Sequence, residues 1–211
     1  MAFTTLTNKD SYLFWKRCFD LALCIVGISV CFPLLLVIFL AIKIESPGPV
    51  FYRGLRTGLG GKPFRIWKFR TMVLNAEILG GGTTALNDFR IFRFGGLLRK
   101  YKVDELPQIL NVMKGDMSLV GPRPELPQYT EQYKGDELLI LNVRPGITDY
   151  SSIQFSSLQE EVGAEDADRV FEERILAKKN ALRIRYVKER TFSGDVVLIL
   201  RTFGCIIKKV F

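Results

Sequence analysis

Two adjacent carboxylates, Asp104 and Glu105, stand in the run Lys102-Val103-Asp104-Glu105-Leu106-Pro107-Gln108, and a basic, proline-flanked segment, Gly121-Pro122-Arg123-Pro124-Glu125, follows it. The chain contains no histidine. Any acid, base, nucleophile or metal ligand must therefore come mainly from Asp, Glu, Lys, Tyr or Cys. Carboxylates beside arginines suit phosphate chemistry: a carboxylate can attack phosphorus or hold Mg²⁺, while guanidinium forks hold phosphate oxygens. Taken alone, the stretch also reads as a capped surface helix with a turn behind it. The rest of the chain decides between the two.

The elements that must position these residues are short. Asp104 fits a helix N-cap, with Pro107 in the first turn, where its missing N–H costs little, and Leu106, Ile109, Leu110 and Met113 at helical spacing behind it. A carboxylate at that place would be favoured in its ionised form by the helix dipole. Upstream, Val50 to Arg53 and Pro63 to Arg70 alternate apolar and basic residues around Gly58-Leu59-Gly60-Gly61, the pattern of a hairpin, and the period of two sets Arg65 and Lys68 on different faces. Gly80-Gly81-Gly82-Thr83-Thr84 reads as a flexible loop; without a lysine at the required spacing it is not a P-loop. Between Asp88 and Lys102, aromatic and aliphatic residues interleave with arginines, which fits a helix with a buried and a basic face. No nucleic-acid motif appears, so DNA or RNA is not an expected partner. Residues 159–173 carry seven acids against one arginine and read as a solvated helix or loop.

At 211 residues the chain can bury one sizeable core, or a core and an appendage, and its net charge of +8 points to an anionic partner. Cys18, Cys24, Cys31 and Cys205 form no C-x-x-C pair, so neither a disulfide framework nor a zinc site is expected. From Leu21 to Ile42 there is no charge. Such a run makes about 33 Å of helix, enough to cross a bilayer core, and it is too long for a signal peptide. Lys16 and Arg17 precede it and Lys43, Arg53 and Arg56 follow, whereas basic flanks prefer the cytoplasm. Pro33, near the middle, offers a way out: a hairpin bent at the proline returns both flanks to one face. An ordinary spanning helix with a tolerated proline is the alternative. Val196 to Phe211 is apolar but broken by Arg201, Lys208 and Lys209, and fits an amphipathic interfacial helix, with a buried C-terminal core helix as the alternative.

In their order along the chain these pieces resemble the bacterial sugar transferase family, the monotopic phosphoglycosyl transferases that act on polyprenyl phosphate. The matching residues are Lys16 to Asp20, Pro33, Ser46-Pro47-Gly48-Pro49-Val50-Phe51, Lys68-Phe69-Arg70-Thr71-Met72, Asp88-Phe89-Arg90, Gly95 to Arg99 and Asp104 to Gln108. Asn111 to Ser118, Gly121 to Glu125 and Val143-Arg144-Pro145-Gly146-Ile147-Thr148 complete the set. The resemblance implies an α+β, mostly helical fold in its minimal catalytic form. It comprises a re-entrant membrane segment over residues 1–45, broken at Pro33, and a catalytic domain over 46–211 with a short β-hairpin and an interfacial C-terminal helix. It also implies residence at the bacterial cytoplasmic membrane, facing the cytoplasm, in contact with membrane lipid; a homodimer is compatible with it.

What the resemblance implies chemically is transfer of a sugar-1-phosphate from a UDP-sugar to polyprenyl (undecaprenyl) phosphate with release of UMP, the initiating step of a cell-surface glycan. Asp104 and Glu105 fall on the family's catalytic dyad and on its Mg²⁺ site. Lys68, Arg70, Arg99, Arg123 and Arg144 are the candidates for holding phosphate oxygens, and Glu125 is placed in sequence to pair with Arg123. Two departures stand out: Phe32 precedes Pro33 where small members often carry serine, and Asp149-Tyr150 follows the Pro-Gly-Ile-Thr motif where many carry Gly-Trp. The rival readings are direct displacement with Asp104 as a metal ligand only, and a non-catalytic basic membrane scaffold.

Overall fold

In the computed structural model, which describes residues 2–210, most of the chain is helical. Helix α1 (Ala2–Glu45) contains Pro33. The proline removes the N–H that would bond the Ser29 carbonyl. One turn earlier the Ser29 hydroxyl donates to the Ile25 carbonyl at 2.9 Å, a back-bond that tends to bend helices. Helical conformation nevertheless continues on both sides, so the expected break is a lost hydrogen bond within one element, not its end. Loss of a single donor leaves the flanking turns intact.

Both arms of α1 pack against the rest of the protein. Cys24 is buried with Ile66, Val112 and Met117, while Ile38 and Ile42 are buried with Val50, Phe69 and Leu98. Between the arms the side chains face outward, as Val30 (73% exposed) and Phe32 (60%) do. Polar ties secure the first arm: Asp195 accepts from Lys16 Nζ at 2.6 Å, Tyr12 Oη at 2.9 Å and Tyr186 Oη at 2.9 Å, and Asp20 accepts from the Ser118 hydroxyl at 2.7 Å.

The expected hairpin is present as two nested antiparallel pairs. Strand β2 (Leu55–Thr57) pairs with β3 (Pro63–Arg65) around the glycine-rich turn. Outside it β1 (Phe51–Tyr52) pairs with β4 (Lys68–Phe69). Short helices α2 (Ala76–Leu79) and α3 (Arg93–Lys100) follow, then a 3₁₀ turn, Val103–Gln108, running into α4 (Ile109–Lys114). Strand β5 (Ser118–Val120) pairs in parallel with β6 (Gly146–Thr148). This joins the Gly121–Glu125 segment to the Val143–Thr148 motif. The contact explains its glycines: a Cβ on Gly146 would lie 2.1 Å from the Gly121 nitrogen.

The C-terminal half is a set of short helices, α5 (Pro127–Thr130), α6 (Tyr150–Gln154), α7 (Leu158–Val162) and α8 (Ala167–Val170), capped by α9 (Leu176–Glu189) and α10 (Phe192–Val210). Tyr129, Phe155, Val162, Phe171 and Ile175 form their core. Helix α10 buries Asp195 and Leu198 on one face and leaves Val197, Leu200, Phe203 and Ile207 exposed on another, the two-faced pattern expected of it. Most acids of 159–173 are solvated as expected, with one exception. Asp168 accepts from the Gly82 and Thr83 backbone N–H groups at 3.1 and 2.6 Å, so the glycine-rich loop is tethered and not free.

Candidate active site

Four elements converge on the two carboxylates. Strand β4 brings Lys68, α3 brings Arg99, the 3₁₀ turn carries Asp104 and Glu105, and the loop after β5 brings Arg123. Glu105 Oε1 accepts from Lys68 Nζ at 2.8 Å and from Arg123 Nη2. Arg123 is further fixed by donating through Nη1 to the Ile147 carbonyl at 2.9 Å. Lys68 reaches the site from β4, while Arg65, at the end of β3, stays at the exposed edge and donates to the Arg53 carbonyl at 3.1 Å.

Asp104 is not an N-cap. Lys102 occupies that position with φ 58° and makes no side-chain cap bond; Asp104 sits inside the turn. Its carboxylate is buried, the charges of Lys68, Arg99 and Lys102 act on it, and Oδ1 has no hydrogen-bond partner. The direction of the shift is therefore opposite to that expected of a helix-capping carboxylate. Burial pushes the Asp104 carboxyl up, and the adjacent Glu105 charge adds to it, with Lys68, Arg99 and Lys102 partly offsetting both. Burial opposes ionisation of Glu105 as well, but there Arg123, Lys68 and Lys102 outweigh it and hold the carboxyl well below the usual range. Burial also pulls the Lys68 ammonium down. One carboxylate is thus locked as an anion, and its neighbour keeps an uncommitted oxygen.

Not all the sequence candidates join this cluster. Arg99 does: its charge acts on Asp104, while its Nε and Nη1 donate to Thr71 Oγ1 at 2.9 Å and Thr84 Oγ1 at 3.0 Å. Arg70 does not. It is buried and donates to Ser46 Oγ and the Ser46 carbonyl, bracing the chain where it leaves α1. Arg144 lies exposed, with Nε donating to the Gly115 carbonyl at 3.1 Å. Glu125 pairs not with Arg123 but with Lys179 and Arg183.

Three residues went unnoticed as site members. Lys102 is exposed and acts electrostatically on both carboxylates. Gln108 is fully buried with both amide atoms unpartnered, a second uncommitted polar group one turn from Asp104. Asp149 is also fully buried. It caps α6 by accepting from Ser152 N–H at 2.7 Å and accepts the Arg123 backbone N–H at 3.3 Å. The pattern Asp149-Tyr150-Ser151-Ser152, an aspartate ahead of a short helix, is the sequence signal for it.

Among the described residues no three His, Cys, Asp or Glu side chains gather to cage a metal. Mg²⁺, however, is commonly held by one or two carboxylates with substrate phosphate oxygens and water. Two adjacent carboxylates, one with a buried orphan oxygen, fit that requirement.

Known proteins bear directly on this arrangement. The family model described as bacterial sugar transferase matches residues 11–209. A putative undecaprenyl-phosphate N-acetylgalactosaminyl 1-phosphate transferase of Bacillus subtilis is 41% identical over 63% of this chain and 74% of its own length. A UDP-N-acetylgalactosamine-undecaprenyl-phosphate N-acetylgalactosaminephosphotransferase of Aeromonas hydrophila is 36% identical over 96% of this chain, which spans 46% of that protein. A UDP-glucose:undecaprenyl-phosphate glucose-1-phosphate transferase of Caulobacter vibrioides is 36% identical over 89% of this chain and 67% of its own. With a family match running through nearly all its residues, the chain belongs to the bacterial sugar transferase family.

Proposed function

We propose that the protein is a phosphoglycosyl transferase. It moves a sugar-1-phosphate from a UDP-sugar to undecaprenyl phosphate, giving undecaprenyl-diphosphate-sugar and UMP and starting a cell-surface glycan. The observation that carries this reading is the buried Asp104 carboxylate, one oxygen unpartnered, among Lys68, Arg99 and Lys102. The related proteins named for this reaction support it.

In the first step an Asp104 oxygen attacks the sugar-bearing phosphorus, and the phosphoanhydride bond to UMP breaks. The product is a sugar-phosphoryl-aspartate. In the second step an undecaprenyl phosphate oxygen attacks the same phosphorus and the acyl-phosphate bond breaks, returning Asp104 to a carboxylate. One phosphoanhydride replaces another, so the protein need mainly position reactants and offset charge. Lys68, Arg99 and Arg123 are suited to phosphate oxygens, and Glu105 orients Lys68 and Arg123. When bound, Mg²⁺ would be held by Asp104 and Glu105 with diphosphate oxygens and would screen the charge facing an anionic nucleophile.

The lipid acceptor requires the site at a membrane surface. Both arms of α1 pack on the same body as the site while the apolar stretch between them faces outward. This supports a re-entrant, monotopic α1 that bends near Ser29 and Pro33. The exposed apolar stripe of α10, flanked by Arg201 and Lys208, supports an interfacial seat for that helix. The basic flanks of α1 support a catalytic side facing the cytoplasm.

Incubation with a panel of UDP-sugars, undecaprenyl phosphate and Mg²⁺, followed by mass spectrometry of UMP, tests the assignment. UMP that forms only with a cognate sugar supports it; no UMP from any donor contradicts it.

A further inference from the structure

Glu125 is the carboxylate nearest Arg123 in sequence, yet the Arg123 guanidinium goes to Glu105 and to the Ile147 carbonyl. What keeps the closer carboxylate away lies on α9. Glu125 Oε1 accepts from Arg183 Nη2 at 2.5 Å and from Lys179 Nζ at 3.2 Å. Arg183 is completely buried and donates through Nη1 to Asn180 Oδ1 at 2.8 Å. Asn180 is in turn fixed by Tyr133 and Glu137.

The backbone between the two pairs has little freedom. Pro122 and Pro124 fix φ on either side of Arg123, and Asp149 holds the Arg123 N–H. The Glu125 carbonyl accepts from Thr57 N–H at 3.0 Å. The main chain is pinned, so the choice left is which carboxylate the flexible Arg123 side chain meets. Glu125 remains close enough for its charge to act on Arg123. A buried carboxylate that loses one of its two cations would compete for that guanidinium, since a poorly paired buried charge is unfavourable.

We infer that Lys179 and Arg183 are positioning residues for the transfer reaction: they sequester Glu125 so that Arg123 is left to Glu105. The inference rests on the reading of Asp104 and Glu105 as the transfer site. It turns two polar residues on a C-terminal helix into a control on the charge balance around the carboxylate pair, acting through Glu125 and without touching substrate.

The test is a rescue. Arg183→Gln should reduce the kcat of UMP release roughly tenfold or more, the scale on which a misplaced group acts. Glu125→Gln combined with Arg183→Gln removes one charge of each sign and abolishes the competitor. Coupled sites of this kind are non-additive, and the double variant should return to within about threefold of the unmodified protein. A residue that merely holds the fold predicts the opposite, a double variant no better than the single. Lys179→Gln, with and without Glu125→Gln, reads the same competition should Arg183→Gln fail to fold.

A readout independent of activity is the structure of the Arg183→Gln protein, by crystallography or electron cryomicroscopy. Arg123 is expected on Glu125. Arg123 remaining on Glu105, or no recovery in the double variant, overturns the inference. If the unmodified protein releases no UMP from any donor, the functional reading fails while the structural arm still decides which carboxylate Arg123 takes.

Discussion

Asp104 and Glu105 share a peptide bond but not an electrostatic setting. Glu105 receives Lys68 and Arg123 on one oxygen, while the buried Asp104 Oδ1 receives nothing. Two carboxylates placed together and pushed in opposite directions are a common arrangement for a division of labour. Here one carboxylate is committed to Lys68 and Arg123 and its neighbour keeps an unpartnered oxygen.

Glu105→Gln should therefore leave Lys68 and Arg123 poorly paired and weaken UMP release by about 10–100-fold, the range typical of groups that orient a reactive or metal site. Mg²⁺ titrations should shift to higher concentration in this variant. A titration curve unchanged from the unmodified protein would argue against Glu105 as a ligand.

The arginines should separate by position. Arg99→Met is expected to lower turnover, because its charge acts on Asp104. Arg144→Ala should leave kcat and KM near normal, since that side chain only reaches the Gly115 carbonyl at the surface. Arg70→Met should lower thermal stability, as a buried brace to Ser46 is lost. Steady-state kinetics and melting curves on the three variants check this, and a catalytic loss at Arg144 as large as at Arg99 would contradict the placement.

Acid should weaken the Glu125 clamp in a defined window. Burial opposes its ionisation, but Lys179 and Arg183 prevail and hold the carboxyl at about 2, against an ordinary 4.5. A depressed native value stabilises the fold above the unfolded value and loses that stabilisation as pH falls from about 4.5 toward about 2. The contribution is about 3 kcal/mol in full. Denaturation of the unmodified protein and of Glu125→Gln should differ most near neutrality and converge in acid. A gap independent of pH would show that Glu125 is not held by charge.

The topology of α1 can be measured in cells. Tags at the N- and C-termini should be accessible from the cytoplasm only, because Asp20 and Ile42 both pack on the catalytic body. Pro33→Leu should straighten the segment and place some N-termini outside, against the preference of Lys16 and Arg17. Labelling of an introduced N-terminal cysteine by an impermeant reagent reads the outcome, and strong labelling of the unmodified topology would establish a true span.

Much of this layout is legible in the chain because it is local. Alternation around Gly58 to Gly61 specifies the nested hairpin and separates Lys68 from Arg65. The uncharged run specifies α1, and the spacing of Val197, Leu200 and Phe203 specifies the outward stripe of α10. Pairings across sequence distance are another matter. Nothing near Arg123 says that its partner is Glu105 and not Glu125; α9, more than 50 residues away, decides it. Arg70 and Arg144 resemble Arg99 as isolated residues, and only the packing at Ser46 and the edge at Gly115 distinguish them. Pro107 makes Asp104 read as a helix cap, but the left-handed Lys102 takes the cap position and Asp104 lies buried inside the turn.

The most direct measurement concerns Asp104 itself. The protein, in membranes with Mg²⁺ and UDP-sugar but no undecaprenyl phosphate, should be quenched and analysed by mass spectrometry of its peptides. The account predicts UMP release in step with a phosphosugar adduct on the peptide containing Asp104, discharged on adding undecaprenyl phosphate. Asp104→Asn should show neither adduct nor turnover while staying membrane-bound. UMP release that requires both substrates together, with no adduct, or substantial turnover by Asp104→Asn, would contradict the covalent role and leave direct displacement as the mechanism.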